Sequence, residues 1–246
     1  MKKATKCLLG GALLILLLTP VSQVKADWHQ DNVGWWYSLN NGSYYKNTEA
    51  NIDGKSYKFD DRGYMITGWQ YNVYNGGDYS GWYYYDPVTG EEKRGWQLID
   101  GKWYYFENSA LKGFQKIGDK RYYFDPVNSD MKTGWISKQG YPGLEWYYYN
   151  PESGEGLSGW QTIDGKTYCF DEFGKAFVGQ RTLIDGKKYY FDPVNRDLKT
   201  GWLDLNGTRY YADPNDGGAF AMNKTLIIDG VSYTFSSGGS VINNEP

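Results

Sequence analysis

Residues 95–106 read GWQLIDGKWYYF, and this stretch decides the fold. Residues 96–99 and 102–106 are short runs of β-prone side chains. Asp100 and Gly101 lie between them, and a two-residue type I′ turn favours this pair because both central residues need positive φ. The stretch therefore predicts a β-hairpin whose return strand is a cluster of aromatic rings.

The same unit recurs along the chain. An Asp-Gly or Asn-Gly turn recurs at Asp53-Gly54, Asp164-Gly165, Asp185-Gly186, Asn206-Gly207 and Asp229-Gly230. A Gly-Trp pair or a close variant begins most units, at Gly68-Trp69, Gly95-Trp96, Gly113-Phe114, Gly134-Trp135, Gly159-Trp160, Gly179-Gln180 and Gly201-Trp202. The units recur about every 20 residues, and such a period is typical of repeat architectures.

Stacking of these units follows from their size. A single two-stranded hairpin is marginally stable in water, whereas stacked hairpins bury each other's rings. We therefore expect an all-β fold, an elongated β-solenoid of stacked β-hairpin repeats of about 20 residues, with nine or ten hairpins.

The composition agrees with a core made of rings. The chain of 246 residues has 25 Tyr and 11 Trp, and aromatic residues make up 19% of it. Aliphatic side chains are sparse after residue 26, so aromatic rings must supply most of the buried apolar area. We expect return-strand rings such as Tyr104, Phe106, Tyr123 and Tyr190 to form the core.

Residues 1–26 have the three parts of a secretory signal peptide. Lys2, Lys3 and Lys6 precede an apolar run at residues 8–18, and Ala26 is a small residue at the expected cleavage position. After cleavage only Cys169 remains, so an internal disulfide is impossible. We expect a secreted protein with no membrane association after cleavage.

Charge and residue types exclude several functions. Residues 1–26 hold four Lys and no acidic residue, which leaves 22 basic and 29 acidic side chains and a net charge of −7 in residues 27–246. This balance argues against a nucleic-acid partner. His29 is the only histidine, and the nucleophile and metal motifs of common enzymes are absent. We expect no catalytic residues, no metal site, no cofactor and no enzymatic activity.

The repeats resemble the choline-binding, or cell-wall-binding, repeat family of Gram-positive surface proteins. GWQLIDGKWYYF at 95–106, GWQTIDGKTYCF at 159–170 and DGKKYYFDPVNRDLKTGW at 185–202 carry the resemblance, which spans roughly residues 28–236. It implies four segments: signal peptide 1–26, divergent cell-wall-binding repeats 27–67, choline-binding-type hairpins 68–236 and a polar tail 237–246.

The resemblance also implies where choline binds. Its quaternary ammonium has no N–H to donate, and aromatic faces attract it. In the family, a cage takes the Gly-Trp ring of one unit, the first aromatic of its return strand and the Gly-Trp ring of the next unit. The implied sets are Trp69, Trp82 and Trp96; Trp96, Trp103 and Phe114; and Trp135, Trp146 and Trp160. Arg121, Lys188 and Arg209 replace the middle ring in other units, so those sites are expected to have lost choline binding.

The function implied is non-catalytic attachment to the cell wall through choline or phosphocholine on teichoic acid. An LPxTG sorting motif is absent from the last residues, VINNEP at 241–246, which favours non-covalent retention at the cell surface. Two alternatives stay open. The rings could instead bind a glucan or another glycan, or the later repeats could form an adhesin surface for a host or bacterial protein.

Overall fold

The computed structural model describes residues 25–73, 80–140, 143–183 and 185–245, so residues 1–24 of the predicted signal peptide lie outside the described residues. The chain divides into two compact units, and the boundary in the sequence falls between Lys93 and Arg94. The described residues form ten antiparallel hairpins and one short 3₁₀ turn at Pro214–Asp216. The prediction of an all-β solenoid built from stacked hairpins is confirmed.

The first unit contains hairpins 1 to 3. Their strands are β1 Asp27–Gln30 with β2 Trp35–Ser38, β3 Thr48–Ile52 with β4 Lys55–Phe59, and β5 Gly68–Asn72 with β6 Gly81–Tyr85.

The second unit contains hairpins 4 to 10. Their strands are β7 Gly95–Ile99 with β8 Lys102–Phe106, β9 Gly113–Ile117 with β10 Lys120–Phe124, β12 Gly134–Gln139 with β13 Leu144–Tyr149, β14 Gly159–Ile163 with β15 Lys166–Phe170, β16 Gly179–Thr182 with β17 Lys188–Phe191, β18 Gly201–Leu205 with β19 Thr208–Asp213, and β21 Lys224–Ile228 with β22 Val231–Phe235. Three further strands extend hairpins 5, 9 and 10: β11 Met131–Lys132, β20 Ala219–Phe220 and β23 Val241–Glu245.

The hairpin turns have the geometry that their residues predict. Asp100 has φ 50° and Gly101 has φ 75°, so both central residues of this turn lie in the left-handed region, as type I′ requires. The same pair of positive angles occurs at Asp53-Gly54, Asp164-Gly165, Asn206-Gly207 and Asp229-Gly230. The turn sequence therefore sets the register of these hairpins.

The core is a column of rings in each unit. The last aromatic ring of most return strands is almost fully buried, as at Phe59, Tyr85, Phe106, Phe124, Tyr149, Phe170, Phe191 and Phe235. The ring two residues earlier points to the same face and is also buried, as at Tyr104 and Tyr122. Tyr123 and Tyr190, which were expected in the core, are only half-buried.

The connectors between hairpins begin with a turn in which one side chain accepts two backbone N–H groups. Oδ1 of Asp125 accepts from Val127 and Asn128, and Oδ1 of Asp192 accepts from Val194 and Asn195. Each connector then returns to pair with the end of its return strand, as Ala176 does with Phe170. The connectors are thus part of the sheet structure.

The last residues include a strand that their composition does not predict. Residues 237–246 were expected to form a polar tail, yet β23 pairs with β22, with Phe235 opposite Val241 and Ser232 opposite Glu245. The open edge of β22 explains this pairing, because it offers unpaired backbone groups to the next segment. Within the described ranges, no helix is long and apolar enough to cross a membrane.

Candidate functional site

Each site is built on the pairing register of one hairpin. In hairpin 4, Trp96 lies opposite Tyr105, and Leu98, two residues after Trp96, lies opposite Trp103. Because side chains alternate along a strand, Trp96 and Trp103 project from the same face. We call the residue at the place of Trp103 the corner position, and it is Trp82 in hairpin 3 and Trp146 in hairpin 6.

The Gly-Trp ring and the corner-position ring stand nearly at right angles. Their centroids are 6.3 Å apart at 89° for Trp69 and Trp82, and 6.2 Å apart at 83° for Trp96 and Trp103. The third pair, Trp135 and Trp146, has 6.3 Å and 75°. Each pair forms two walls of an open recess, which we call a ring corner.

The Gly-Trp ring of a ring corner is held in place by the next hairpin. Trp135 meets the edge of Tyr168 at 4.9 Å and is tilted against Phe170 at 5.9 Å. Trp96 makes the corresponding contacts with Tyr122 and Phe124 at 4.8 and 5.8 Å. This packing fixes the ring before any ligand arrives, which lowers the entropy cost of binding.

The same packing occurs where the corner position has no ring. Trp160 contacts Tyr189 at 5.0 Å although its hairpin has Thr167 at the corner position. Trp202 contacts Tyr233 at 4.7 Å. The Gly-Trp ring therefore has a structural role in stacking in addition to any role in binding, and sequence reasoning missed this role.

The third ring of each predicted set belongs to the next hairpin and has ring contacts of its own. Trp160, the third member with Trp135 and Trp146, is 43% exposed and contacts Tyr189 and Phe191. Phe114, the third member with Trp96 and Trp103, is 37% exposed and contacts Tyr123 and Tyr147. For Trp69 and Trp82, the predicted third ring, Trp96, belongs to the second unit. The structure thus brings together the first two rings of each set.

Hairpin 1 contains a further aromatic recess. The resemblance suggests a cage of Trp35, Trp36 and Tyr57 in this region, but the recess contains Trp35, Tyr57 and Trp28, and Trp36 lines a different cavity. Trp28 lies opposite Tyr37, and Trp35 holds the corner position. A cavity of about 440 Å³ is lined by Trp28 and Trp35 together with Tyr57, Met65, Val88 and Thr89. The lining has no Asp, Glu, Lys or Arg. Trp28 follows Asp27 instead of glycine, so only the strand register identifies it as a Gly-Trp equivalent.

In hairpins 1, 2, 5, 6 and 7, a backbone hydrogen bond fixes the main chain of the corner position. Its carbonyl accepts from the connector that follows the next hairpin, as when Ala176 N donates to Trp146 O at 2.8 Å. The equivalent donors and acceptors are Met65 to Trp35, Glu92 to Ser56, Gly156 to Arg121 and Leu198 to Thr167. This bond forms whether the side chain is Trp, Ser, Arg or Thr.

In two hairpins, cations of the chain itself lie over the Gly-Trp rings. The guanidinium of Arg209, at the corner position of hairpin 9, is 4.4 Å from the centroid of Trp202. Nζ of Lys138 is 4.8 Å from the centroid of Phe114 and 5.5 Å from that of Tyr147. Sequence reasoning identified Arg209 as a lost site but missed Lys138, which is distant in sequence from Phe114.

The recess of hairpin 5 is accordingly cationic. Phe114, Tyr147, Arg121 and Lys138 are among the residues that line a cavity of about 470 Å³. The guanidinium of Arg121 donates to the carbonyl oxygen of Glu172 at 2.7 Å. Two positive side chains at these rings oppose the entry of a ligand cation.

The residues that the structure describes show neither a metal-binding cluster nor an activated cysteine. Within the described ranges, no group of three or more His, Cys, Asp or Glu side chains could hold a metal ion. Cys169 packs with Tyr189 and Phe191, and burial raises the pKa of its thiol to about 11. Since the thiolate is the nucleophile, this cysteine is a packing residue.

Comparison with known proteins agrees with these observations. The choline-binding repeat family matches residues 111–158 and 157–201, and the cell wall binding repeat family matches residues 95–109 and 200–217. Repeats of these families are binding modules. Among curated protein sequences, none matches the chain.

The solved structures that are similar to the chain include two from Streptococcus pneumoniae. Choline binding protein F from Streptococcus pneumoniae, solved in the presence of a peptidoglycan analogue, is 28% identical, with 85% of this chain and 76% of that chain covered and a TM-score of 0.65. The modular autolysin LytC from Streptococcus pneumoniae is 24% identical, with 88% of this chain and 48% of that chain covered and a TM-score of 0.54. The second likeness concerns the fold alone.

Proposed function

The chain carries repeats of the choline-binding family within residues 95–217, and from this premise we propose that it attaches to the cell wall by binding the phosphocholine of teichoic acids. The observation that supports this most is the ring corner that recurs in hairpins 3, 4 and 6, with two Trp rings 6.2–6.3 Å apart and nearly perpendicular.

The chemistry of a ring corner suits a quaternary ammonium. This group has no N–H, so hydrogen-bonding side chains recognise it poorly, whereas each aromatic face attracts it by roughly 0.5–2 kcal/mol. Two perpendicular faces can both contact one small cation. The residues that we propose to bind choline are Trp69, Trp82, Trp96, Trp103, Trp135, Trp146 and Trp160, and to these we add Trp28 and Trp35. Phe114, the third ring expected beside Trp96 and Trp103, is left out because the Lys138 ammonium lies over its ring.

Several weak sites suffice for attachment because the polymer repeats its ligand. Engaging a second site on the same polymer raises the overall avidity by about 10²–10⁴ without any new contact. The sites we propose are distributed over both units, in hairpins 1, 3, 4 and 6. Retention at the surface of the secreted chain would then be non-covalent and reversed by free choline.

The similar structure of choline binding protein F supports a role at the cell wall. Choline binding protein F was solved with a peptidoglycan analogue, a tetrasaccharide-pentapeptide, so that protein was studied with a wall component. We propose that this chain likewise works at the cell wall as a binding protein without catalytic activity.

Retention on a resin that carries a choline-like tertiary amine tests the proposal. We expect residues 27–246 to bind the resin, to elute with free choline and to stay bound in dextran. Trp146→Ala should weaken retention, whereas Tyr190→Phe, a change on the same type of strand away from a ring corner, should not. Elution by dextran alone, failure to bind, or equal effects of the two variants would contradict the proposal.

A further inference from the structure

The two neighbouring tryptophans of β2 face opposite sides of hairpin 1. Successive side chains alternate along a strand, so Trp35 and Trp36 cannot share a face. Trp35 lines the aromatic cavity described above. Trp36 lies opposite His29, and their rings stack with centroids 4.2 Å apart at 20°.

Trp36 lines a separate cleft with a different composition. Its cavity of about 260 Å³ is bounded by Asp31, Trp36, Tyr44, Arg62 and Tyr64. Three aromatic rings and two side chains of opposite charge therefore surround a space that is large enough for one sugar-sized group. The corner-type cavity on the other face of the hairpin has no such charged side chains in its lining.

Tyr44 presents a ring that is supported on one side and open on the other. The ring is 45% exposed, and it meets Trp36 at 5.9 Å and 72°. Its supported side lies against Gly63, where a Cβ atom would come within 2.5 Å of the ring carbons. Gly63 also has φ 96°, so glycine serves both the turn and the close approach of the ring.

The polar groups of the cleft are held in fixed positions. Oδ1 of Asp31 accepts the N–H groups of Val33 and Gly34 at 2.8 and 3.1 Å, and Oδ2 accepts the Tyr64 hydroxyl at 2.9 Å. The backbone N–H of Val33, followed by that of Gly34, lowers the pKa of Asp31, so this carboxylate is ionised at neutral pH. A carboxylate oxygen has more than one lone pair, which leaves Asp31 able to accept from a ligand.

Arg62 supplies donors at the same cleft. Its guanidinium pairs with Asp60 at 3.1 Å and lies 5.5 Å from the centroid of Tyr64. A guanidinium has five N–H donors, and the pair with Asp60 uses only some of them. The cleft thus offers a fixed acceptor and a donor beside aromatic faces.

The two charges of the lining cancel, so the cleft has no net attraction for an anion or for a cation. An anion meets repulsion from Asp31 and a cation meets repulsion from Arg62, and each side chain already has a partner within the protein. A neutral ligand that carries several hydroxyl groups meets neither penalty, because a hydroxyl donates to the carboxylate and accepts from the guanidinium. The C–H face of a pyranose ring is apolar and packs on aromatic rings.

We propose that this cleft is a second binding site, which takes a neutral sugar residue of a glycan on the face of hairpin 1 opposite the Trp28 and Trp35 cavity. The site is independent of choline binding. A glycan chain could come from the wall or from a polymer outside it, and the two sources share the pyranose chemistry that the cleft recognises.

Calorimetric titration of residues 27–246, with saturating choline present throughout, tests the proposal with two probes. A tetramer of β-1,4-linked N-acetylglucosamine represents wall glycan, and a tetramer of α-1,6-linked glucose represents an external glucan. We expect one of them to bind, and Tyr44→Ala and Arg62→Ala to weaken it by about fivefold or more, a size typical of losing one aromatic or charged contact. Tyr44→Phe keeps the ring and should retain most of the binding.

The controls separate this site from the choline sites. Phe173→Ala removes a ring that is 69% exposed in the second unit and should leave sugar binding unchanged. Trp35→Ala, at the exposed corner position of the same hairpin, should change choline binding alone. Binding of neither sugar at millimolar concentration, equal effects of Tyr44→Ala and Phe173→Ala, or displacement of the sugar by choline would overturn the proposal. Loss of retention on the amine resin with intact sugar binding would instead count against the choline function.

Discussion

The guanidinium of Arg209 stands 4.4 Å from the centroid of the Trp202 ring. Arg209 holds the corner position of hairpin 9, and hairpins 3, 4 and 6 have Trp there. A side-chain cation within about 6 Å of a ring centroid makes the same cation–π interaction that a ligand cation would make. Hairpin 9 therefore holds an internal substitute for the ligand that we propose for the ring corners.

Replacing this arginine should create a site. In the variant Arg209→Trp, the internal cation is removed and the ring corner with Trp202 is restored, so we expect about one more choline to bind per chain. Calorimetric stoichiometry measures the change. Arg181→Trp, at an exposed arginine of β16, is the matched control and should add none. An unchanged stoichiometry in a folded Arg209→Trp variant would mean that the corner position does not determine binding.

Trp103 should contribute to choline binding in a way that its neighbour Leu98 does not. The two residues are cross-strand partners on one face, with 44% and 58% of their surfaces exposed. Loss of one cation–π contact of roughly 0.5–2 kcal/mol corresponds to a fall in affinity of about 2- to 30-fold at that site. We expect this fall in Trp103→Ala and no change in Leu98→Ala, by titration with choline. Similar effects of both changes would point to general apolar contact.

Trp160 and Trp103 should differ in their effect on stability although they are equally exposed, at 43% and 44%. Trp160 packs on Tyr189 and Phe191 of the next hairpin, whereas Trp103 contacts Trp96 of its own hairpin. We expect Trp160→Ala to lower the free energy of unfolding by about 1–3 kcal/mol and Trp103→Ala by less than half as much. Urea unfolding monitored by circular dichroism measures both. An equal loss would show that the Gly-Trp ring has no special part in stacking.

The connector turn at Asp192 should make stability depend on acid pH. The N–H groups of Asn195 and Val194, with the nearby Lys199 ammonium, lower the pKa of Asp192 to about 2. Its unfolded value is near 3.9, so the ionised carboxylate stabilises the fold above about pH 4, and this contribution is lost as the pH falls through about 2.

Asparagine provides the control for this prediction. Asn150 accepts the N–H groups of Glu152 and Ser153 in the equivalent turn without a charge. In Asp192→Asn we expect the turn to persist and the melting temperature to fall less between pH 5 and pH 2 than it does in the wild type. A parallel fall in both proteins would assign the acid sensitivity to other carboxylates.

Local features of the fold could be predicted because they depend on neighbouring residues. The Asp100-Gly101 turn and the alternating return strand at Lys102–Phe106 follow from backbone preference and side-chain period alone. The strand position of the second ring in each implied set could be predicted because the turn fixes the register. Trp103 lies on the predicted strand, on the same face as Trp96.

Non-local features could not be predicted from one sequence. Lys138 of hairpin 6 reaches Phe114 of hairpin 5, and no periodic pattern marks that contact between neighbouring hairpins. The equivalence of Trp28 with the Gly-Trp rings depends on its pairing with Tyr37, since Asp27 precedes it. The order of the last strand arises from the free edge of β22, which the Ser- and Gly-rich composition of residues 236–240 does not reveal.

The hydrogen bond between the Ala176 N–H and the Trp146 carbonyl has an evolutionary consequence. The main-chain carbonyl at the corner position accepts this bond. A substitution there therefore changes the ligand recess and leaves the bond between repeats intact. Trp146, Thr167 and Arg121 hold this position in three hairpins of one chain, and the carbonyl of each accepts the bond. Single substitutions at this position can thus raise or lower the number of binding sites, as the gain or loss of whole repeats would.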